Sequence, residues 1–245
     1  MVYMGSKNRI AKHILPIMLN VAHKHGIEKW VEPFVGGGNM IDKVPKSFKR
    51  IGVDVNPHVI NALIAVRDYV DVLPDSLTED EYKQLKGSEP EPIKSWLRFI
   101  ASFGAKLDNG YARRKGSDET TYVGYGKRNA QKQSPKLQGV EFDIGNYDIC
   151  TLFIDCLIYC DPPYQGTTSY KTDSFDHNKF WMWCEKMADN NIVFISEYNA
   201  PDSFNCVWEG ELQTNFASQR SQANKAVEKL FTPNDLNIPK TNKIF

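Results

Sequence analysis

The chain has 245 residues, enough for one domain with a substantial insertion, and 41% hydrophobic with 24% charged residues is a globular composition. Its formal net charge is zero, so the overall balance points to neither nucleic acid nor membrane. No apolar run approaches the roughly 20 residues a membrane span needs, and the polar start, Met1 to Arg9, is not a signal peptide. The five cysteines are odd in number and form no C-x-x-C pair, and the five histidines are scattered. That pattern predicts reduced, mostly buried thiols in a cytoplasmic protein with no zinc site.

Tyr3-Met4-Gly5-Ser6-Lys7 precedes a helical pattern. Ser6 is a candidate N-cap, and Ile10, Ile14, Ile17, Met18 and Val21 recur at helical spacing until Gly26 stops it. A short strand then begins at Trp30 and runs through Glu32-Pro33-Phe34-Val35 into Gly36-Gly37-Gly38, which should open a short helix. Glycines at such a turn let a ligand approach the backbone, but this is neither the dinucleotide pattern nor a phosphate loop. The second strand, Arg50 to Val55, carries Asp54 at its end, just under 20 residues beyond the glycines. In nucleoside-binding α/β domains an acid there accepts two ribose hydroxyls side by side. Asn56-Pro57 caps the helix that follows, with Val59, Ile60, Leu63, Ile64 and Val66 on its apolar side.

From Asp68 to Glu91 eight acidic residues face two lysines, and Thr78 with Glu81 spells a capping box. A helix follows with Ile93, Trp96, Leu97, Ile100 and Phe103 as its apolar side. From Lys106 to Lys136 the balance reverses, with eight basic residues against three acidic ones, four interleaved glycines and three tyrosines. Few apolar residues are available there, which predicts a long basic and aromatic loop. Cations neutralise phosphates and aromatic faces stack on bases, so the segment suits nucleic acid.

The core resumes at Val140-Glu141-Phe142-Asp143-Ile144. The apolar run Cys156 to Cys160 reads as a buried strand, ended abruptly by Asp161-Pro162-Pro163-Tyr164, because neither proline can donate to a sheet ladder. The bend holds a carboxylate and an aromatic ring at the carboxyl end of a strand, where open α/β sheets bind ligands. A polar loop from Gln165 leads to Asp176, the cap of a helix whose aromatics belong to the core. Ile192 to Ile195 is another buried strand, ending in Ser196-Glu197-Tyr198-Asn199, and two late antiparallel strands surround Val207 and Val227.

The glycine stretch E-P-F-V-G-G-G, the aspartate ending strand two and D-P-P-Y after a buried strand, in that order, resemble the N6-adenine DNA methyltransferases of the alpha group, the Dam-like D12 class. Y-M-G-S-K resembles the family's aromatic-x-G-x-K stretch, and F-D-H-N-K-F the segment after its catalytic loop. S-E-Y-N departs from the family's S-N-x-x form at Glu197. The resemblance covers nearly the whole chain and is weakest over 68–136.

It implies a class I S-adenosylmethionine-dependent methyltransferase fold: an α/β, Rossmann-like mixed sheet over residues 1–67 and 137–245, with a helical and loop target-recognition insertion at 68–136. S-adenosylmethionine would be held by Tyr3, Lys7, Phe34, Gly36, Gly38, Asp54, Phe142 and Asp161, with Lys7 reaching its carboxylate. Asp161, Pro162 and Tyr164 would act on N6 of an adenine flipped out of double-stranded DNA, and no metal is needed. Lys106, Arg113, Arg114, Tyr125, Lys127 and Arg128 are the candidate DNA contacts. The implied setting is the cytoplasm of a bacterial or phage-infected cell, with a monomer or weak dimer, alone or beside a restriction nuclease. Three readings compete: an N4-cytosine methyltransferase, which usually has serine in place of Asp161; an RNA adenine methyltransferase; and a non-catalytic nucleic-acid-binding relative. The missing Pro-Cys nucleophile argues against C5-cytosine chemistry.

Overall fold

The computed structural model describes residues 1–3, 5–113, 121–165, 175–212, 226–236, 238 and 241–243. The chain forms two compact units, Met1–Lys12 with Phe34–Tyr147 and His13–Pro33 with Asp148–Phe245.

In the first unit, Ser6 caps a 3-10 turn, Lys7–Arg9, by accepting the amide of Asn8. Strands β2 (Lys49–Asp54) and β3 (Val140–Ile144) pair in parallel, with Gly52 opposite Phe142 and Asp54 opposite Ile144. Helix α2 (Pro57–Asp68) starts at the Asn56 cap with proline at its first position, as its sequence dictates. It buries Val59, Ile60, Leu63 and Val66. Helix α3 (Glu79–Leu85) opens on the full Thr78–Glu81 capping box. Helix α4 (Pro92–Ile100) ends before Phe103, which stands 67% exposed in a 3-10 turn and not on the helix's apolar side as expected.

A larger difference lies in the basic segment. Residues 121–137 form a helix, α5 (Thr121–Leu137), where a long loop was expected. Its buried positions are Val123, Gly126, Ala130, Gln133, Ser134 and Leu137, a helical spacing hidden by small and polar residue types. Gly126 is there for close packing: a Cβ on it would lie 2.1 Å from Cγ1 of Ile100 on α4. The buried guanidinium of Arg50 stops the helix, donating to the carbonyls of Lys136 at 2.8 Å and Gln138 at 2.6 Å.

The second unit contains helix α1 from His13 onward (the whole helix is Ala11–Lys24) and strands β1 (Lys29–Glu32), β4 (Leu157–Cys160) and β5 (Ile192–Glu197). Gly26, at φ +66, ends α1. Strands β1, β4 and β5 are parallel neighbours. Helix α6 (His177–Met187), capped by Asp176, forms the crossover from β4 to β5, with Phe180, Trp181, Trp183, Cys184 and Met187 buried. The late strands β6 (Asn205–Leu212) and β7 (Ala226–Thr232) are antiparallel, and β7 pairs with β5 as well. A short strand, β8 (Thr241–Lys243), adds to β6 in parallel. None of the five cysteines, all among the described residues, is in a disulfide, and four of them are buried. No helix among the described residues is long and apolar enough to cross a membrane.

Candidate active site

The glycine turn of the first unit is built around a carboxylate. Gly36, at φ +47, donates its amide to Oδ2 of Asp54 at 3.1 Å, and Asn56 donates its amide to Oδ1 at 2.9 Å. Each oxygen keeps a second lone pair, so the carboxylate can take two more donors side by side. Asp54 is half-buried at the end of β2. Burial pushes its pKa up to about 6, against the pull of the two amides, which favour the ionised form. Tyr3 closes over the turn: a Cβ on Gly36 would lie 3.0 Å from its ring, and the positive φ would strain any other residue there. Behind the turn, Nε2 of Gln133 on α5 holds the carbonyls of Gly37 and Gly38 at 3.1 and 3.2 Å. No helix opens at the glycines; the chain makes only a 3-10 turn, Ile41–Lys43, so the expected helix N-terminus is absent.

Tyr3, Gly36, Gly38 and Asp54 are thus brought together in this unit. Phe34 packs its ring on Tyr147 at 5.7 Å. Phe142 sits on β3 beside β2, with the Arg67 guanidinium 5.3 Å above its ring. Lys7 is half-buried in the turn before α1, its ammonium 3.4 Å from the carbonyl of Gly5.

In the second unit, Asp161 to Tyr164 leave β4, all four residues of which are buried. Asp161 and Tyr164 are half-buried, while Pro162 is buried. The Tyr164 hydroxyl donates to Oε2 of Glu228 on β7 at 2.6 Å, and its ring meets that of Tyr198 edge to face at 4.7 Å. Burial, with the carboxylates of Asp161 and Glu228 nearby, holds that hydroxyl well above the usual phenol range, so it remains a donor. Glu197, at the end of β5, accepts the amides of Tyr198 at 2.7 Å and Gln165 at 3.2 Å. Burial raises its pKa to about 7 despite these amides. The buried Glu32 accepts from the indole of Trp30 at 2.8 Å.

A model of the D12 class N6 adenine-specific DNA methyltransferases matches residues 3–92 and 110–188. The chain belongs to this family. Among its relatives, the type II methyltransferase M.MjaIII of Methanocaldococcus jannaschii is 24% identical over 251 residues, covering 84% of this chain and 86% of that one. Among solved structures, a putative methyltransferase, yhhF, from Escherichia coli aligns over 95% of this chain and 89% of its own, at 9% identity and a TM-score of 0.42. A putative methylase from Haemophilus influenzae aligns over 94% and 91%, at 9% identity and a TM-score of 0.38.

As an adenine-specific DNA methyltransferase, the chain has S-adenosylmethionine as the methyl donor its family implies, and its strands pair in a mixed α/β fold. The residues present fit that cofactor. Asp54 has two oriented oxygens with free lone pairs, suited to a vicinal diol, and the glycine turn leaves no side chain on the adjoining backbone.

Of the candidate DNA contacts, Arg114 lies outside the described residues. Tyr125 is 55% exposed on α5, with the Arg128 guanidinium 5.7 Å from its ring centre. Lys127 and Arg113 already have acidic partners: Lys127 reaches Asp75 at 2.9 Å, and Arg113 grips Glu79 through Nε at 2.9 Å and Nη2 at 2.6 Å. Lys106 is half-buried just past the 3-10 turn Phe103–Ala105. The sequence reading missed Glu228 and Gln133. No local signal marks Glu228, whereas the helical spacing of 126, 130 and 133 would have placed Gln133 on the buried face of α5.

Proposed function

We propose that the chain methylates N6 of an adenine flipped out of double-stranded DNA, acting as a monomer or weak dimer on a specific recognition sequence. The observation that carries the reading is the motif Asp161 to Tyr164, issuing directly from a fully buried strand with its tyrosine anchored at both hydroxyl and ring.

Asp54 accepts the ribose hydroxyls of the cofactor, Tyr3, Phe34 and the Gly36–Gly38 backbone shape its pocket, Lys7 meets its carboxylate, and Phe142 lies against its adenine. When bound, S-adenosylmethionine supplies an electrophilic methyl group on a positively charged sulfur. The exocyclic amine of adenine is a poor nucleophile because its lone pair is delocalised into the ring. The Asp161 carboxylate and the Pro162 carbonyl accept hydrogen bonds from the N6 amino group, drawing the lone pair out of conjugation toward the methyl carbon. Asp161 takes the proton that N6 sheds once the N–C bond has formed. The two prolines keep these acceptors fixed, so little reorganisation accompanies transfer.

A base inside a duplex cannot reach this motif, and extruding it costs a few kcal/mol. Stacking on Tyr164, worth about 1–3 kcal/mol, offsets part of that cost. Residues 68–136 form the target-recognition segment within a catalytic frame of 1–67 and 137–245. There Tyr125 and Arg128 offer exposed contacts, and Arg113 and Lys127 exchange Glu79 and Asp75 for phosphates. Arg114 and Lys106 belong to the same basic set. The similarity to a type II methyltransferase supports a role beside a restriction nuclease.

Sequencing N6-methyladenine in DNA from cells expressing the chain tests the reading. Modified adenines within one short sequence are expected, and their absence would overturn it. With that sequence known, 2-aminopurine at the target position should brighten when the protein binds duplex, and no change would refute flipping.

A further inference from the structure

We infer that Glu228 is a positioning residue for the motif tyrosine: from β7 it fixes the Tyr164 hydroxyl, and so sets the ring plane on which the target adenine stacks. The inference rests on the reading of Asp161 to Tyr164 as the catalytic motif. The family match ends at residue 188, so neither Glu228 nor the strand that carries it belongs to the matched segments.

The geometry is that of a charge-assisted bond. The oxygen–oxygen distance is 2.6 Å, within the 2.5–2.7 Å typical of O–H donating to a carboxylate. Glu228 is 6% exposed, and a polar group taken that far from water needs hydrogen-bond partners. The Tyr164 hydroxyl supplies one. The tyrosine follows two prolines, which stiffen the backbone before it but leave its χ1 and χ2 free to turn. Two further contacts limit that freedom. Tyr198 meets the ring edge to face at 4.7 Å. Glu197 binds the amides of Gln165, the next residue after Tyr164, and of Tyr198 itself. Two buried glutamates, one from β5 and one from the adjacent β7, therefore clamp one aromatic ring at its hydroxyl, at its following amide and through its ring neighbour. A ring that must receive an extruded base gains from being held before the base arrives, because ordering it at that moment would subtract from stacking.

The test is a double-mutant cycle on Glu228→Leu and Tyr164→Phe, read as kcat and as KM for S-adenosylmethionine on duplex DNA. Tyr164→Phe keeps the ring and removes the donor; Glu228→Leu removes the acceptor. Each alone should lower kcat about tenfold with little change in that KM, as expected for one hydrogen bond to a charged group. The double variant should be no worse than either single one, because both delete the same bond. Glu228→Gln, which retains an oxygen acceptor, should recover most of kcat, and if Glu228→Leu fails to fold, Tyr164→Phe alone carries the test, with an unchanged kcat overturning the inference. Losses that multiply in the double variant, or a Glu228→Leu enzyme with unchanged kcat, would overturn the inference. Failure of the underlying reading looks different: Asp161→Ala would then remain active whatever the cycle shows.

Discussion

Asp54 should make cofactor binding pH-dependent in a range where the cofactor's own charges are constant. Burial raises the Asp54 carboxyl pKa to about 6. Ribose hydroxyls donate, so they bind the ionised form, and affinity is lost as pH falls through about 6. With ionised Asp54 required, the apparent Kd grows by a factor of 1 + 10^(pKa − pH), which is about 1.1 at pH 7 and about 11 at pH 5. The cofactor's own amino group, near 8, and its carboxyl, near 3.5, hold their charge across this window. The fold is not weakened through Asp54 over the same range: a raised carboxyl pKa contributes stability below its unfolded value that is lost as pH rises, not as it falls. Calorimetric titration with S-adenosylmethionine at pH 5, 6 and 7 should follow that curve. Asp54→Asn should bind about 10- to 100-fold more weakly at pH 7, the cost of losing hydrogen bonds to a charged acceptor, and should show no such slope. Equal affinity at pH 5 and 7, or an equal slope in Asp54→Asn, would refute the assignment of Asp54 to the ribose.

Neutralising the acidic partners of the basic segment with Asp75→Asn and Glu79→Gln should tighten binding to non-specific duplex. Releasing Lys127 and Arg113 should also steepen the salt dependence, by up to about 0.9 per phosphate gained; an unchanged slope in a filter-binding or fluorescence titration would count against both cations. Glu197 has its pKa raised from 4.5 to about 7, so its contribution to stability is complete below about pH 4.5 and is lost as pH rises through 7. Urea unfolding should therefore find Glu197→Gln gaining on the native protein between pH 5 and pH 8, by on the order of 2–3 kcal/mol, and a constant difference would contradict the buried-carboxyl assignment. Gly126→Val forces a side chain into Ile100 and should cost about 1–3 kcal/mol in the same assay, with unchanged stability ruling out the close α4–α5 contact.

What could be read from sequence was whatever local chemistry specifies. Asn56-Pro57, Thr78 with Glu81, and Asp176 each mark a helix start through a side chain that bonds an amide two or three residues on, and all three caps form. The buried strands β4 and β5 are uninterrupted apolar runs, and Asp54 bonds the amide of Gly36 from the strand end where an acid was expected. Helix α5 escaped because its inner face is made of Gly126, Ala130, Gln133 and Ser134, whose burial depends on how closely α2 and α4 approach. The Glu228–Tyr164 bond joins residues 64 apart. It exists because β7 inserts beside β5 ahead of β6, an ordering of strands that no short-range pattern encodes.

The central claim is that Asp161 activates N6 of adenine for methyl transfer. The most direct measurement is single-turnover transfer of labelled methyl from S-adenosylmethionine to a duplex carrying the recognition sequence, followed by nucleoside analysis, for the native chain and for Asp161→Ala. The native chain should place the label on N6-methyladenine, and Asp161→Ala should be slower by at least about 10²–10³-fold, the loss expected for a preorganised charged acceptor, while still binding cofactor. Label on cytosine, or comparable rates for the two proteins, would contradict it.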